Sequence, residues 1–171
     1  MEILLIGYMG SGKSTVGNYI SKEINLEFID LDKYIEEKEG LSIKEIFSAK
    51  GEIYFRLQEA AYLKEILESK SDYVLSLGGG TPCYANNIKT IIESNIESFY
   101  LKATIPTLIK RLEKEKESRP LIADLEEHQM VEYIGKHLFE RAPFYEQSKF
   151  KISIDNKTTK EICSEITTQL H

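Results

Sequence analysis

The sequence predicts an α/β fold: a parallel sheet of about five strands covered by helices on both faces, with a mobile lid. Three observations carry this. Short apolar runs alternate with segments of helical period along all 171 residues. The runs that read as strands end in glycine or acid, where sheets of this kind bind ligands. And the first strand leads directly into a glycine-rich segment ending in Lys13-Ser14 that opens a helix.

Taken in order, "EILLIG" is an apolar run closed by Gly7, as a buried parallel strand would be. In "KSTVGNYISKEI", Val16, Tyr19, Ile20 and Ile24 recur at helical spacing. "EFID" is a second strand ending on Asp30, and Asp32 either caps a helix through "KYIEEKEG" or, with Asp30, serves a functional site, since a cap would explain only one of the two acids. From Leu41 to Ser69 the pattern is helical, with Gly51 parting "SIKEIF" from "IYFRLQEAAYLKEILES". "YVLSL" is the third strand; Gly78, Gly79 and Gly80 follow it, then a helix through "NIKTIIES". "ESFYLKA" is the fourth strand. A helical run after Pro106 enters the charged segment "KRLEKEKES", and "MVEYIGKHLFERAPFYEQS" is helical until Pro143 disturbs it. "FKISID" gives the fifth strand and "TKEICSEITTQL" a closing helix.

A single domain over residues 1–171 is long enough to bury a core without disulfides or a structural metal. With 42% hydrophobic and 29% charged residues the composition is that of a soluble globular protein. A net charge of -6 argues against a general binder of nucleic acid or anionic membranes. Cys83 and Cys163 lack metal-ligand spacing and read as reduced thiols. The apolar start lacks a basic region and reaches glycine too soon for a signal peptide, and no run approaches the roughly 18 apolar residues that span a bilayer. A cytoplasmic protein is the expectation.

Gly7-Tyr8-Met9-Gly10-Ser11-Gly12-Lys13-Ser14 fits G-x-x-x-x-G-K-[ST] completely. Glycines there let backbone N–H groups turn inward around phosphate oxygens, and the helix that follows adds its dipole and free amides. Gly10, Ser11, Gly12, Lys13, Ser14 and Thr15 are therefore the expected nucleoside triphosphate cradle of a P-loop NTPase-type sheet. Lys13 reaches the β- and γ-phosphates, and the Ser14 hydroxyl ligates Mg²⁺. A dinucleotide fingerprint fails, because Thr15 stands where its third glycine belongs. Asp30 and Asp32, two apart in extended chain, would point the same way and offer oxygen to the metal site.

Three consecutive glycines need a reason, since each loses entropy on folding. Either the turn is loose, or a ligand lies against bare backbone. Upstream, Arg56 and Glu59 are i,i+3 neighbours, so either a solvated pair or an arginine held by Glu59 for a carboxylate fits. Arg119-Pro120-Leu121 follows the charged run, which reads either as a solvated helix face or as a lid that closes an arginine over phosphate. Arg141, ahead of Pro143, is a second candidate anion clamp. His128, His137 and His171 show no base-and-nucleophile arrangement and are assigned to the surface.

With these motifs in place the sequence resembles the shikimate kinases, small P-loop kinases of aromatic amino-acid biosynthesis, over nearly its whole length. The residues that carry the resemblance are "GYMGSGKST", "DLD" at 30–32, "GEIYFRLQE" at 51–59, "LSLGGGTP" at 75–82, "RPL" at 119–121 and "ERAPFY" at 140–145. The resemblance implies that Asp32, Arg56, Gly78, Gly79, Gly80 and Arg141 form a shikimate pocket, drawing on a binding segment at about 31–60. Arg56 and Arg141 would hold the carboxylate; Asp32 and a glycine amide would take ring hydroxyls. It implies that Arg119 lies on a lid at about 112–124 and meets the transferring phosphate, with Arg111 and the region of Asn156 near adenine. Asp30 and Ser76 would serve Mg²⁺ through water. The catalytic set is then Lys13, Asp32 and Arg119, the reaction ATP + shikimate → ADP + shikimate 3-phosphate, and the expected state a monomer. Leu77 departs from members in which a Thr precedes the glycines.

Two rivals stand beside this reading. Another small-molecule kinase, for gluconate or a nucleoside monophosphate, would use the same phosphate loop, but a nucleotide acceptor wants apolar walls rather than arginines beside glycine. A non-catalytic nucleotide switch specific for guanine would need N-K-x-D, and Asn156-Lys157-Thr158-Thr159 has Thr in place of that Asp.

Overall fold

The structure is a computed structural model and describes residues 1–119 and 121–170. Pro120 and His171 lie outside the described residues. The strands are β1 (Glu2–Ile6), β2 (Glu27–Asp30), β3 (Tyr73–Ser76), β4 (Glu97–Lys102) and β5 (Phe150–Ser153). The helices are α1 (Lys13–Glu23), α2 (Leu31–Glu39), α3 (Ile43–Ser69), α4 (Asn87–Glu93), α5 (Ile105–Lys114), α6 (Glu127–Tyr145) and α7 (Thr159–Gln169).

All strand pairs are parallel, in the order β2-β3-β1-β4-β5. A parallel sheet covered on both faces needs strands apolar on both sides. Ile3, Leu4, Leu5 and Ile6 meet that demand, each fully buried, with Val74, Leu75, Phe99 and Leu101 beside them. The chain leaves β1 towards β2 but leaves β3 in the opposite direction, towards β4. Right-handed crossovers in opposite directions put α1 and α4 on opposite faces, and α7 returns to pack on α1. The point where direction reverses lies between β1 and β3. The phosphate loop and the glycine run leave the sheet there, side by side, with Leu77 N–H donating to Leu5 O at 3.2 Å.

Two local readings change. Asp30, not Asp32, caps α2: its Oδ1 accepts from the backbone N–H of Asp32 and of Lys33 at 3.1 and 3.4 Å. The helix thus begins one residue after the strand ends, so Asp32 reaches the site from a helical first turn and not from extended chain. Pro143 does not break α6, which runs on to Tyr145. The N–H that proline lacks would have met the carbonyl of Phe139, a residue 83% exposed, where the loss of one helical hydrogen bond is tolerated. Gly51 does interrupt α3, with φ at 83°.

Candidate active site

The phosphate loop is shaped by two left-handed glycines, Gly10 at φ 79° and Gly12 at φ 88°, a conformation that side chains resist. Gly12 is also the N-cap of α1, so its backbone conformation, with no capping side chain, opens the helix. Lys13 is buried and folds onto the loop itself, donating from Nζ to Gly7 O at 2.8 Å and Tyr8 O at 3.0 Å. Burial lowers its pKa to about 8, against the opposing pull of Asp32. A buried cation held only by carbonyls is poised for an anion.

Ser14 donates its hydroxyl to Asp30 Oδ2 at 2.9 Å. Asp30 stands level with Ser76 across the β2–β3 ladder, so these oxygens gather where two strands end and α1 begins. Asp32 completes the group. Burial, then Asp30 and Glu59, push its carboxyl up to about 6. A hydroxyl and carboxylates without nitrogen or sulfur are the donor set for a hard ion such as Mg²⁺. Leu77 is buried in the core, so the strand end before the glycines presents Ser76 and not residue 77.

The three glycines divide the opposite wall between them. A Cβ on Gly78 would stand 3.1 Å from Asp32 Oδ1, one on Gly79 3.4 Å from an Arg141 guanidinium nitrogen, and one on Gly80 3.0 Å from an Arg56 guanidinium nitrogen. None of the three adopts positive φ. Three charged side chains of the chain itself occupy the space beside this backbone, so the run is not a loose turn.

Arg56 is fixed on several sides. Its NH1 donates to the buried Glu59 Oε2 at 2.9 Å, while Thr81 Oγ1 donates to the other oxygen of that carboxylate at 2.6 Å. The Tyr84 ring lies 3.9 Å from its guanidinium carbon, a stack that sequence spacing did not reveal. Its buried Nε has no hydrogen-bond partner among the described residues. The i,i+3 pair is therefore not a solvated one: it braces a guanidinium against the glycine loop.

A cleft of 580 Å³ runs between these walls, lined by the loop residues Gly10 and Gly12 to Thr15, by Asp30, Asp32, Ser76 and Gly78–Gly79, and by Arg111 and Arg119. Arg111 donates to Ser11 O at 3.2 Å. Arg119 follows a short 3-10 turn (Lys116–Ser118) and is paired with Glu115. Asn156 sits in the left-handed turn before α7, outside the cleft lining. From that helix Thr159 and Ile162 face the cleft instead, and neither carried a motif in the sequence. Arg56, Gly80 and Arg141 are not among the lining residues; Arg141 lies against Gly79, which is.

His128 is exposed as expected, but His137 is not a surface residue. It is partly buried, and its Nδ1 lies 3.2 Å from the Tyr8 hydroxyl. The available signal was the spacing of Tyr133, His137, Arg141 and Tyr145, four apart on one helix face.

A phosphate loop and a glycine loop flanked by cationic and acidic side chains from neighbouring helices, set side by side at a sheet's switch point, define a P-loop kinase acting on a small anionic alcohol. The family profile "SKI: Shikimate kinase" matches residues 9–171. A shikimate kinase of Flavobacterium johnsoniae is 48% identical over 165 residues, covering 96% of each chain. Among solved structures, shikimate kinase from Bacteroides thetaiotaomicron superposes with a TM-score of 0.91 at 32% identity, covering 99% of this chain and 98% of its own. Shikimate kinase from Acinetobacter baumannii in complex with shikimate superposes with a TM-score of 0.86 at 30% identity, covering 99% and 92%. The chain belongs to the shikimate kinase family, whose members phosphorylate shikimate with ATP in aromatic amino-acid biosynthesis.

Proposed function

We propose that this chain transfers the γ-phosphoryl group of ATP to the 3-hydroxyl of shikimate, with Mg²⁺, as a monomeric cytoplasmic enzyme of one kinase domain that engages neither nucleic acid nor membrane. The carrying observation is that Asp32, Arg141 and Arg56 lie against Gly78, Gly79 and Gly80 in turn, with Asp32 and Arg141 close enough to Lys13 to act on its charge. Two guanidiniums and a carboxylate in that order suit a ring bearing a carboxylate at one end and hydroxyls at the other.

Phosphoryl transfer asks mainly for in-line positioning and charge stabilisation. The loop amides and Lys13 take the phosphates, Lys13 Nζ exchanging the carbonyls of Gly7 and Tyr8 for phosphate oxygens. Arg119, on the lid at about 112–124, exchanges Glu115 for the moving phosphoryl group. Arg111, with the β5–α7 turn at Asn156 and the start of α7, borders the nucleotide's base. Asp32 orients the attacking hydroxyl and receives its proton, a role for which a carboxyl near 6 is suited. Ser14, with Asp30 and Ser76 acting through water, would hold Mg²⁺, which supplies charge neutralisation between the β- and γ-phosphates. The segment at about 31–60 supplies Asp32 and Arg56 to the acceptor.

The test is ADP formation from Mg-ATP with and without shikimate, with gluconate and a nucleoside monophosphate as competing acceptors. Strong stimulation by shikimate alone is expected. Equal stimulation by either competitor would remove the carboxylate pocket from the proposal while leaving the phosphate loop.

A further inference from the structure

We propose that Tyr8 and His137 form a positioning pair for Arg141, tying the phosphate loop to the helix that carries the acceptor's second arginine. The proposal rests on the assignment of Arg141 to the acceptor carboxylate.

The two arginines of the acceptor wall are held by opposite means. Arg56 is braced by the Glu59 carboxylate at 2.9 Å. Among the described residues no carboxylate lies within ion-pair distance of Arg141; the groups that act on it are Tyr145, Cys83 and Tyr8. Its guanidinium therefore keeps its full charge for an incoming anion, with the neutral Tyr145 hydroxyl and no carboxylate to fix its direction. Packing supplies the rest. The Tyr8 ring lies 5.9 Å from the guanidinium carbon, and the bare Gly79 backbone closes another side.

Both walls are anchored through the same face of α6. Tyr133, His137, Arg141 and Tyr145 recur every four residues and so lie one above another. Tyr145, fully buried, donates its hydroxyl to Gly79 O and fixes the glycine loop. His137, one turn from Arg141, meets the Tyr8 hydroxyl at 3.2 Å, and the Tyr133 ring packs on His137 with centroids 4.5 Å apart. Burial keeps the Tyr8 phenol neutral, while burial and Arg141 hold His137 below its ordinary value. A neutral imidazole and a neutral phenol form a hydrogen bond that adds no charge beside Arg141.

Tyr8 belongs to the phosphate loop. Its carbonyl accepts from Lys13 Nζ at 3.0 Å while its ring walls Arg141. One residue thus touches the group that serves the donor phosphate and the group that serves the acceptor, and His137 sets where its ring sits. A ring released from His137 is free to tilt, and Arg141 loses its wall.

The test is steady-state kinetics of Tyr8→Phe, His137→Leu, His137→Asn and the double variant Tyr8→Phe/His137→Leu, with Arg141→Ala as reference. Loss of one buried hydrogen bond should raise the shikimate KM about three- to tenfold in Tyr8→Phe and His137→Leu. The ATP KM should move less than twofold. His137→Asn, whose amide replaces Nδ1, should restore the shikimate KM, and the double variant should be no worse than the worse single, because both remove one link. A merely structural role would move both KM values together and would not be rescued by Asn. Arg141→Ala raising the shikimate KM while Tyr8→Phe and His137→Leu leave it unmoved overturns the positioning pair alone. Arg141→Ala leaving it unmoved overturns the carboxylate assignment and the pair with it. If His137→Leu does not fold, Tyr8→Phe decides, since it removes a single oxygen.

Discussion

Tyr84 lies over Arg56, ring to guanidinium carbon at 3.9 Å, and the Gly80 backbone also closes on that guanidinium. The plane of Arg56 is thereby set before any acceptor arrives, with Glu59 fixing its rotation within that plane. Arg56→Ala is expected to raise the shikimate KM by about tenfold or more, a charged hydrogen-bond loss, with the ATP KM little changed. Arg56→Lys should recover only a small part, because an ammonium neither stacks nor forks. Initial-rate kinetics in both substrates check this; an unaltered shikimate KM in Arg56→Ala contradicts the assignment.

Gly80→Ala separates the space argument from the backbone argument. Gly80 sits at φ -88°, which alanine adopts freely, yet the new Cβ meets Arg56 at 3.0 Å. The fold should be preserved, with stability altered by about 0.5 kcal/mol or less, while the guanidinium yields by a few tenths of an ångström. The expected result is an unchanged melting temperature together with a raised shikimate KM. A lowered melting temperature alongside the raised KM would show instead that the loop's conformation, and not its contact with Arg56, requires glycine.

Asp32 gives a prediction in which stability and activity move apart. Its folded value lies near 6, above the ordinary 3.8, because of burial and the acids Asp30 and Glu59. Between those values the folded chain binds a proton that the unfolded chain has released, so stability falls as pH rises through the window. Asp32→Asn should therefore be more stable than wild type at pH about 7, by about 1–2 kcal/mol after allowing for solvent screening, and should lose the advantage near pH 4. Its kcat should fall sharply while ATP binding is largely spared. Thermal melts at the two pH values and nucleotide titration together read this out.

Arg119 is paired with Glu115 one turn before it. Arg119→Ala is expected to lower kcat by about a hundredfold, as removal of a group that stabilises developing charge does, with little change in the shikimate KM. Equal kcat in the variant and the parent would take Arg119 out of the transfer step.

Much of this was legible in the sequence, for identifiable reasons. The sheet was, because parallel strands buried on both faces must be short unbroken apolar runs, as "EILLI" is, and the phosphate loop was, because its glycines and lysine have fixed spacing. What the sequence hid were relations made by the fold. Asp30 takes the capping role that Asp32 could have filled, because α2 starts two residues earlier than its polar pattern suggests. His137 looked like a surface residue because its partner, Tyr8, is far away in sequence and reaches it only when α6 lies over the phosphate loop. Tyr84 over Arg56 is likewise a meeting of a loop and a helix. Helical spacing alone, Tyr133 to Tyr145 in steps of four, could have marked the face but not what it faces.

The order β2-β3-β1-β4-β5 has a mechanical meaning. The loop that serves the donor and the loop that serves the acceptor leave neighbouring parallel strands, Leu5 standing level with Ser76. A slip of one residue between those strands would displace one loop by about 3.3 Å and turn its side chains to the other face. The alignment of nucleophile and phosphorus is thus inherited from the register of the most deeply buried ladder in the molecule, the part least able to drift. Surrounding helices could be exchanged for others that select a different alcohol, while the line along which the two loops face each other stays where the sheet has ruled it.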